Sequence, residues 1–352
     1  MKGRQRMKVS RLLTVTFITV TFLFSLAGIS EGQGKKKQVL RWGSSQAGSS
    51  AYIVLFGVAK IINDALPDIY IEAIPAGGSI ASQRMAGKGE LEGVYSGAWN
   101  FTDMYTNRGP YEKSPYPANT PKPYQTWYCY LAKQFVITKA ERDDIKTWSD
   151  LAGKTIFTSV PGSSVYEVPR AALTALGIWG KLKAVNIPFT SAADALKMGT
   201  IDAIVGYANG DVLIPWMAEV DTRVKLKIVP PTPAEFEVIK KVKGYATPTL
   251  DTKKVFSQDM GVPQVNVIAD YYGFHIGNKL STEGGYRVFK VLIEKANEVA
   301  KVHATLKAYA EDPLGMQVKA ISSIPDIPVH AGVAKYLKEK GVWQNEFKIG
   351  KE

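Results

Sequence analysis

Four short stretches place glycine and serine where a strand gives way to a helix: residues 43–50 (Gly-Ser-Ser-Gln-Ala-Gly-Ser-Ser), Gly77-Gly78-Ser79, Ser96-Gly97 and Gly162-Ser163-Ser164. The chemistry this pattern suits is noncovalent capture of a small molecule. The N–H groups of a first helical turn have no partner within the helix, its dipole favours negative charge there, and small side chains let a ligand approach the backbone. Candidate contacts are Ser44, Ser45, Ser49, Tyr52, Ser79, Ser96, Gly162, Ser163 and Ser164, with Trp99 and Tyr207 at strand ends as aromatic walls. Arg84 and Arg170 could clamp a carboxylate bidentately, or simply occupy exposed helix positions. Glycine and serine are also ordinary loop and cap residues, and Ser50 could serve only to cap its helix. The weight lies in the recurrence of the pattern in four loops.

Covalent and metal chemistry find little support. The three histidines, His275, His303 and His330, have no ligand spacing. Neither Ser96 nor Ser163 sits in G-x-S-x-G, which leaves an exported serine hydrolase acting through Ser163 as the enzyme alternative. Gly77-Gly78-Ser79 lacks the dinucleotide and P-loop fingerprints. No catalytic residue, metal or cofactor is expected. Cys129 is the single cysteine, so no internal disulfide can form, and its setting in Trp127-Tyr128-Cys129-Tyr130 reads as a buried thiol.

The elements that must position these loops alternate. Strands are expected at 39–42, 69–74 and 92–95, each running into a small-residue loop, with a helix over 50–66 and a shorter one from 79. Five prolines between 110 and 123 make a rigid connection. A strand over 127–138, longer than one core needs, is a candidate crossing between two lobes. The alternation restarts at 154–158 and continues through helices at 163–176, 191–198 and 211–221, with strands at 183–188, 201–207 and 224–229. An apolar strand at 264–276 would return to the first lobe. The stripe Val288, Val291, Leu292, Ala296, Val299, Val302, Leu306 predicts one long amphipathic helix over 283–311, and a last helix is expected over 329–341. The fold class expected is α/β with two lobes, built from 39–138 plus 263–352 and from 139–262.

The 352 residues are 45% apolar and 22% charged, a globular composition with length enough for two cores. Of the net +12, five charges belong to Lys2, Arg4, Arg6, Lys8 and Arg11. Apart from Lys35-Lys36-Lys37 in an early linker, the remaining basic residues are scattered, which favours small anions and argues against nucleic acid. Those five precede an apolar run from 12 to 27 that ends in Ser25-Leu26-Ala27, the pattern of a signal peptide cut after Ala27. An uncleaved anchor is the alternative. Residues 28–38 form a polar linker, and the mature protein is expected to be periplasmic.

These residues resemble the TAXI-type receptors of tripartite ATP-independent periplasmic (TRAP) transporters. The resemblance lies in Trp42-Gly43-Ser44-Ser45 through Tyr52, then Ala59-Lys60-Ile61-Ile62-Asn63 and Gly77-Gly78-Ser79. It continues with Leu151-Ala152-Gly153-Lys154 before Pro161-Gly162-Ser163, Asp259-Met260-Gly261-Val262-Pro263, and Pro328-Val329-His330-Ala331-Gly332 followed by Tyr336 and Glu339-Lys340-Gly341. It implies a periplasmic-binding fold of type II, a ligand cleft between lobes joined by crossing strands, and closure by hinge bending. It also implies a small carboxylate ligand, a TRAP membrane permease as partner, and a structural role for His330. A monomer is expected. A sensor input to a signalling receptor and a receptor for an ATP-driven importer stay open beside the TRAP reading. The intact mass of the protein recovered from the periplasm is expected to begin at Gly28; retention of residues 1–27 in the membrane fraction would identify the segment as an anchor.

Overall fold

The computed structural model describes residues 37–45, 49–159, 161, 164–242 and 244–352; the signal segment, nearly all of the linker, and the loop positions Gly162 and Ser163 lie outside them. In chain order the elements begin with β1 (Gln38–Gly43), α1 (Ser50–Ala65), β2 (Ile69–Ile74), α2 (Ser79–Gly87), β3 (Gly93–Gly97) and α3 (Ala98–Thr106). The long β4 (Tyr124–Lys139) leads to β5 (Thr155–Phe157), α4 (Ser164–Ala175), β6 (Lys183–Val185), α5 (Ala192–Met198), β7 (Ala203–Asn209), β8 (Val212–Leu213), α6 (Pro215–Arg223) and β9 (Leu226–Val229). Then come α7 (Pro233–Ile239), β10 (Thr249–Asp251), α8 (Thr252–Val255), β11 (Gln264–Asn266) and β12 (Ile268–Ile276). Five helices close the chain: α9 (Thr282–Glu294), α10 (Ala296–Val302), α11 (Lys307–Glu311), α12 (Pro313–Ser323) and α13 (Ala331–Glu339).

Local chemistry accounts for the first unit. Ser49 caps α1, its Oγ accepting from the Tyr52 N–H. Val54, Leu55, Val58, Ala59 and Ile62 recur at helical spacing and are buried. Each large side chain among them contributes ~1.5–3 kcal/mol. In β1, Leu40 and Trp42 alternate inward. β1 lies parallel to β2 and β3, so the three strands end at the same edge.

The main mixed sheet runs β2-β1-β3-β12-β4-β7-β5-β6, and β10 and β11 form a separate antiparallel pair. β4 is its axis. It pairs antiparallel with β12 from Tyr124 to Gln134, with β7 from Ala132 to Ile137, and with β9 from Val136 to Lys139. Since β4 offers Ala132 to Gln134 to both β12 and β7, these two strands lie on opposite edges; β9 continues the edge that β12 leaves. The buried apolar side chains sort along this axis. One cluster draws on Leu40 to Ala132 and on Tyr271 to Phe347. Two others draw on Phe135 to Ile268, with Phe135, Ile137 and Ile204 in one and Val136, Ala203 and Val205 in the other, so they lie on opposite faces of the sheet. The fold is α/β, with β4 and β12 running between the buried clusters.

Three expectations are corrected. The helix expected over 283–311 is broken at Lys295 and again at His303, whose backbone is extended. The breaks let the chain fold back, so that the buried Tyr309 hydroxyl donates to Leu292 O at 2.9 Å while Val299 and Leu306 stay in the core. The strand expected over 264–276 is two strands separated at Val267. The helix expected from 211 starts at Pro215, because Asn209 and Val212 instead pair across a turn at Gly210, where φ is +62°. Helices α7, α8 and α12 were not expected. Among the described residues no helix is long and apolar enough to cross a membrane.

The crossing strands touch closely at Gly273, where the β12–β4 register shifts. A Cβ there would lie 1.9 Å from Trp127 O. Gly273→Ala is expected to destabilise the protein by about 3 kcal/mol in urea denaturation, since the obstacle is backbone rather than a movable side chain.

Candidate ligand site

The carboxyl ends of β1 and β2 open onto a cleft of about 870 Å³, and Tyr95 of β3 lines its wall. Also lining it are Ser159 after β5, residues 186–189 after β6, and Tyr207 and Asn209 at the end of β7. In open α/β sheets this edge is where ligands bind. Two helices begin here. The first turn of α1 is capped by Ser49, whereas α2 starts after Gly78 with no side-chain cap, which leaves its first N–H groups for other partners.

Of the candidate contacts, Ser45, Ser49, Ser79 and Tyr207 line the cleft. Of the other described candidates, Ser44, Ser96, Tyr52 and Trp99 are placed as follows. Ser44 is fully buried, its N–H donating to Ile74 O and its hydroxyl to Ser45 O, so it fixes the loop from behind. Ser96 is also fully buried, donating to Gly97 O and accepting from Gln83 Nε2 at 2.8 Å. The Tyr52 ring rests on Phe56 with centroids 4.4 Å apart, one turn along its own helix. Trp99 stacks on Tyr245 at 4.6 Å, and its N–H donates to Asp270. Arg84 is held by Pro110 O and lies over the Tyr111 ring; Arg170 pairs with Glu167. Ser164 begins α4, and its neighbour Pro161 lines the cleft.

Sequence reasoning missed the strand residues. On β4, Tyr130, Ala132 and Gln134 all line the cleft, which is the period-two face of a strand. Tyr272 of β12 lies between Tyr95 and Tyr130, its ring centroid 5.4 Å from one and 5.9 Å from the other. The Tyr95 and Tyr130 hydroxyls are 2.6 Å apart. Phe189 from the second lobe stacks on Trp216 at 4.9 Å and also lines the cleft. Ser159 is held at φ +67°, a left-handed conformation that costs a non-glycine residue ~1 kcal/mol or more. The alternation in β4 was the available signal, but it does not say which face meets a cleft.

Among the described lining residues no side chain is charged. Asp270 is a fully buried acid whose carboxyl and the Tyr272 ring both pack close to Gly97. Burial pushes its carboxyl well above the usual range, against hydrogen bonds from the Trp99 and Ala98 N–H groups. Gly97 makes room for it, since a Cβ there would lie 2.2 Å from Asp270 Oδ2 and 2.9 Å from Tyr272 Cζ. Burial also drives the Tyr95 and Tyr130 hydroxyls well above 10, so they remain donors. His275 is fully buried, accepts from the Thr126 N–H at Nδ1 and is pushed down to about 3 by burial. His330 caps α13 by accepting from the Gly332 N–H, and its Nε2 meets Leu280 O at 2.9 Å. No histidine is among the described lining residues.

Residues 43–341 match the NMT1-like family. The chain belongs to that family. This NMT1-like protein is also similar in structure to the periplasmic aliphatic sulphonate binding protein SsuA of Escherichia coli, at 13% identity and TM-score 0.45, covering 89% of this chain and 96% of that one. It is similar to the probable amino-acid ABC transporter extracellular-binding protein ytmK of Bacillus subtilis, at 14% identity and TM-score 0.45, covering 77% and 99%. A putative L-cystine ABC transporter protein of Listeria monocytogenes gives 14% and 0.44, covering 76% and 95%.

Asp103 of α3 lies close enough to Asp270 for the two to repel, and burial raises its carboxyl from an ordinary 3.8 to about 7. The unfolded chain releases that proton near 3.8. Between these values the folded state binds more protons than the unfolded one, so the contribution to stability is complete below pH 4 and is lost as pH rises to 7. Asp103→Asn cannot ionise. The variant is expected to gain roughly 2–4 kcal/mol over wild type at pH 7, with the gain shrinking towards pH 4, read from urea midpoints at both pH values.

Proposed function

We propose that this NMT1-like protein is an extracytoplasmic solute receptor whose two lobes close on a small anionic ligand and present it to a membrane transporter. The observation that carries this reading is the cleft itself, walled by strand ends of both lobes of a sheet whose connecting strands are β4 and β12. Lobes spanning 39–138 plus 263–352 and 139–262 fit the way the buried clusters divide. The anion argument rests on two helix starts and on a lining without acidic side chains. The candidate contacts Ser45, Ser49, Ser79 and Tyr207 would meet the ligand directly. Gly162, Ser163 and Ser164 would bring the second lobe's loop opposite.

Closure follows from differential binding. A ligand that touches both lobes only in the closed form shifts the equilibrium by that extra affinity and by nothing else. Micromolar binding amounts to ~8 kcal/mol in total, which bounds what closure can draw on. The resemblance to TAXI receptors supports a TRAP permease as the partner, energised by an ion gradient.

The test has two stages. Solute released by denaturing the purified protein is identified by mass spectrometry and added back to ligand-free protein. A fall in radius of gyration by small-angle scattering is expected; if no released solute compacts the protein, the receptor reading fails. Uptake of that solute into right-side-out vesicles is then measured with added receptor. Loss on adding an ionophore, with uptake retained after ATP depletion, is the TRAP outcome; the opposite pattern assigns an ATP-driven importer.

A further inference from the structure

Helix α3 meets residues of 139–262 along one face. Trp99, Thr102 and Asp103 stand three and four positions apart, so they share that face. The Trp99 ring stacks on Tyr245 with centroids 4.6 Å apart. Gly244 passes so close that a Cβ there would lie 3.2 Å from Trp99 Cε3 and 3.6 Å from Thr102 Oγ1. Asp103 continues the face towards the Glu167–Arg170 pair of α4, near enough for both charges to act on it.

This contact holds more acid than base. Asp103, Asp270 and Glu167 are 2%, 0% and 5% exposed. Arg170 is committed to Glu167 at 2.6 Å. Arg108, in the turn after α3, lies over the Trp99 ring and brings its Nε only to 3.7 Å from Asp103 Oδ1, an atom with no hydrogen bond among the described residues. Glu112 adds negative charge from the same turn, Asp270 adds repulsion from β12, and the Tyr111 and Tyr245 rings complete the surroundings. Fully ionised, Asp103, Asp270, Glu167 and Glu112 would set four negative charges against the two of Arg108 and Arg170. A carboxylate buried in such a place must take up a proton or reach water.

Both helices start at the cleft. α3 follows directly on β3, whose Tyr95 lines it, and α4 follows the loop of Pro161. Parting α3 from α4 and Tyr245 therefore opens the same edge. Resting on the receptor reading for the two lobes, we propose that this contact is a proton-operated latch between them: α3 stays packed on Tyr245 and α4 while Asp103 is neutral, and ionisation of Asp103 frees α3 and widens the cleft.

The sign follows from where the proton is held. Within the contact the Asp103 carboxyl titrates at about 7, and in water at an ordinary 3.8. Each pH unit between these values favours release about tenfold, and above 7 the gain stops.

Hydrogen exchange of the ligand-free mature protein, read by mass spectrometry at pH 5 and pH 8 and corrected for intrinsic rates, tests the latch. Relative to α1, protection of residues 98–106 and 164–175 is expected to fall at least about tenfold at pH 8, and the radius of gyration to rise in small-angle scattering. Asp103→Asn is expected to hold both readouts constant. Glu167→Gln frees Arg170 to pair with an ionised Asp103, and is expected to shrink the fall. Unchanged protection in wild type, an equal loss in α1, a constant radius of gyration, or a fall in Asp103→Asn that matches wild type overturns the inference. If the latch fails while a released solute still compacts the protein, the receptor reading stands; if exchange behaves as expected but no solute compacts the protein, the receptor reading falls, and with it the part the latch plays in closure.

Discussion

Strand β4 carries the hydrogen bonds of both lobes. Over Ala132 to Gln134 it is paired on both edges, with β12 on one and β7 on the other, and beyond β12 the same edge is taken up by β9. Its side chains are nearly all buried, from Gln125 to Thr138. A strand bound on both edges and covered on both faces cannot slip. A one-residue shift would turn Cys129 and Leu131 into the cleft and Tyr130 and Gln134 into the core. The register of one strand therefore decides the chemistry of the site. The same strand fixes where the cores part, because the first buried cluster includes Ala132 and the others begin at Phe135 and Val136.

What the sequence made legible follows from the range of the interactions involved. The loop-to-helix sites depend on a few neighbouring residues, and Ser45, Ser49 and Ser79 reached the cleft as their loops suggested. Errors within those loops were also local. Ser50 reads as well as Ser49 for a cap, and only the backbone shows that Ser49 holds the Tyr52 N–H. Tyr52 is the third residue of the helix, and its ring lies along the helix against Phe56. Trp99 follows a strand end as a cleft wall should, but the buried carboxyl of Asp270 fixes its backbone and Tyr245 covers its ring. Both partners are far away in sequence. Tyr130, Gln134, Tyr272 and Asn209 were illegible for the same reason, since each lies in a strand that reads as core. Core and cleft are distinguished only by which strands lie alongside.

The electrostatics of the site follow from that burial. A wall of tyrosines backed by Asp270 and Asp103 would repel an anion if those acids were ionised. Burial raises both carboxyls, Asp103 to about 7, which favours their neutral forms, and Gly97 is needed because the Asp270 carboxyl occupies the space a side chain would fill. The positive character of the cleft then comes from backbone alone, at the starts of α1 and α2. Backbone dipoles are fixed by the helices and carry no mobile side chain, so an anion held by them orders little else on binding. The net positive charge of the chain lies outside the lining and would act at longer range, on encounter, where it is screened by salt.

Closure distinguishes the two sets of contacts. The helix starts and the tyrosine wall belong to one lobe, so a ligand resting on them alone gains affinity in the open and closed forms equally and shifts nothing. Phe189, Asn209 and Ser159 belong to the other lobe. Under the proposed closure they would make the ligand prefer the closed form, and the left-handed backbone of Ser159 lies among them. On the proposed reading, the residues of 39–138 would determine what the cleft accepts, and those of 139–262 whether acceptance is transmitted along β4 and β12 to the surface a transporter would read.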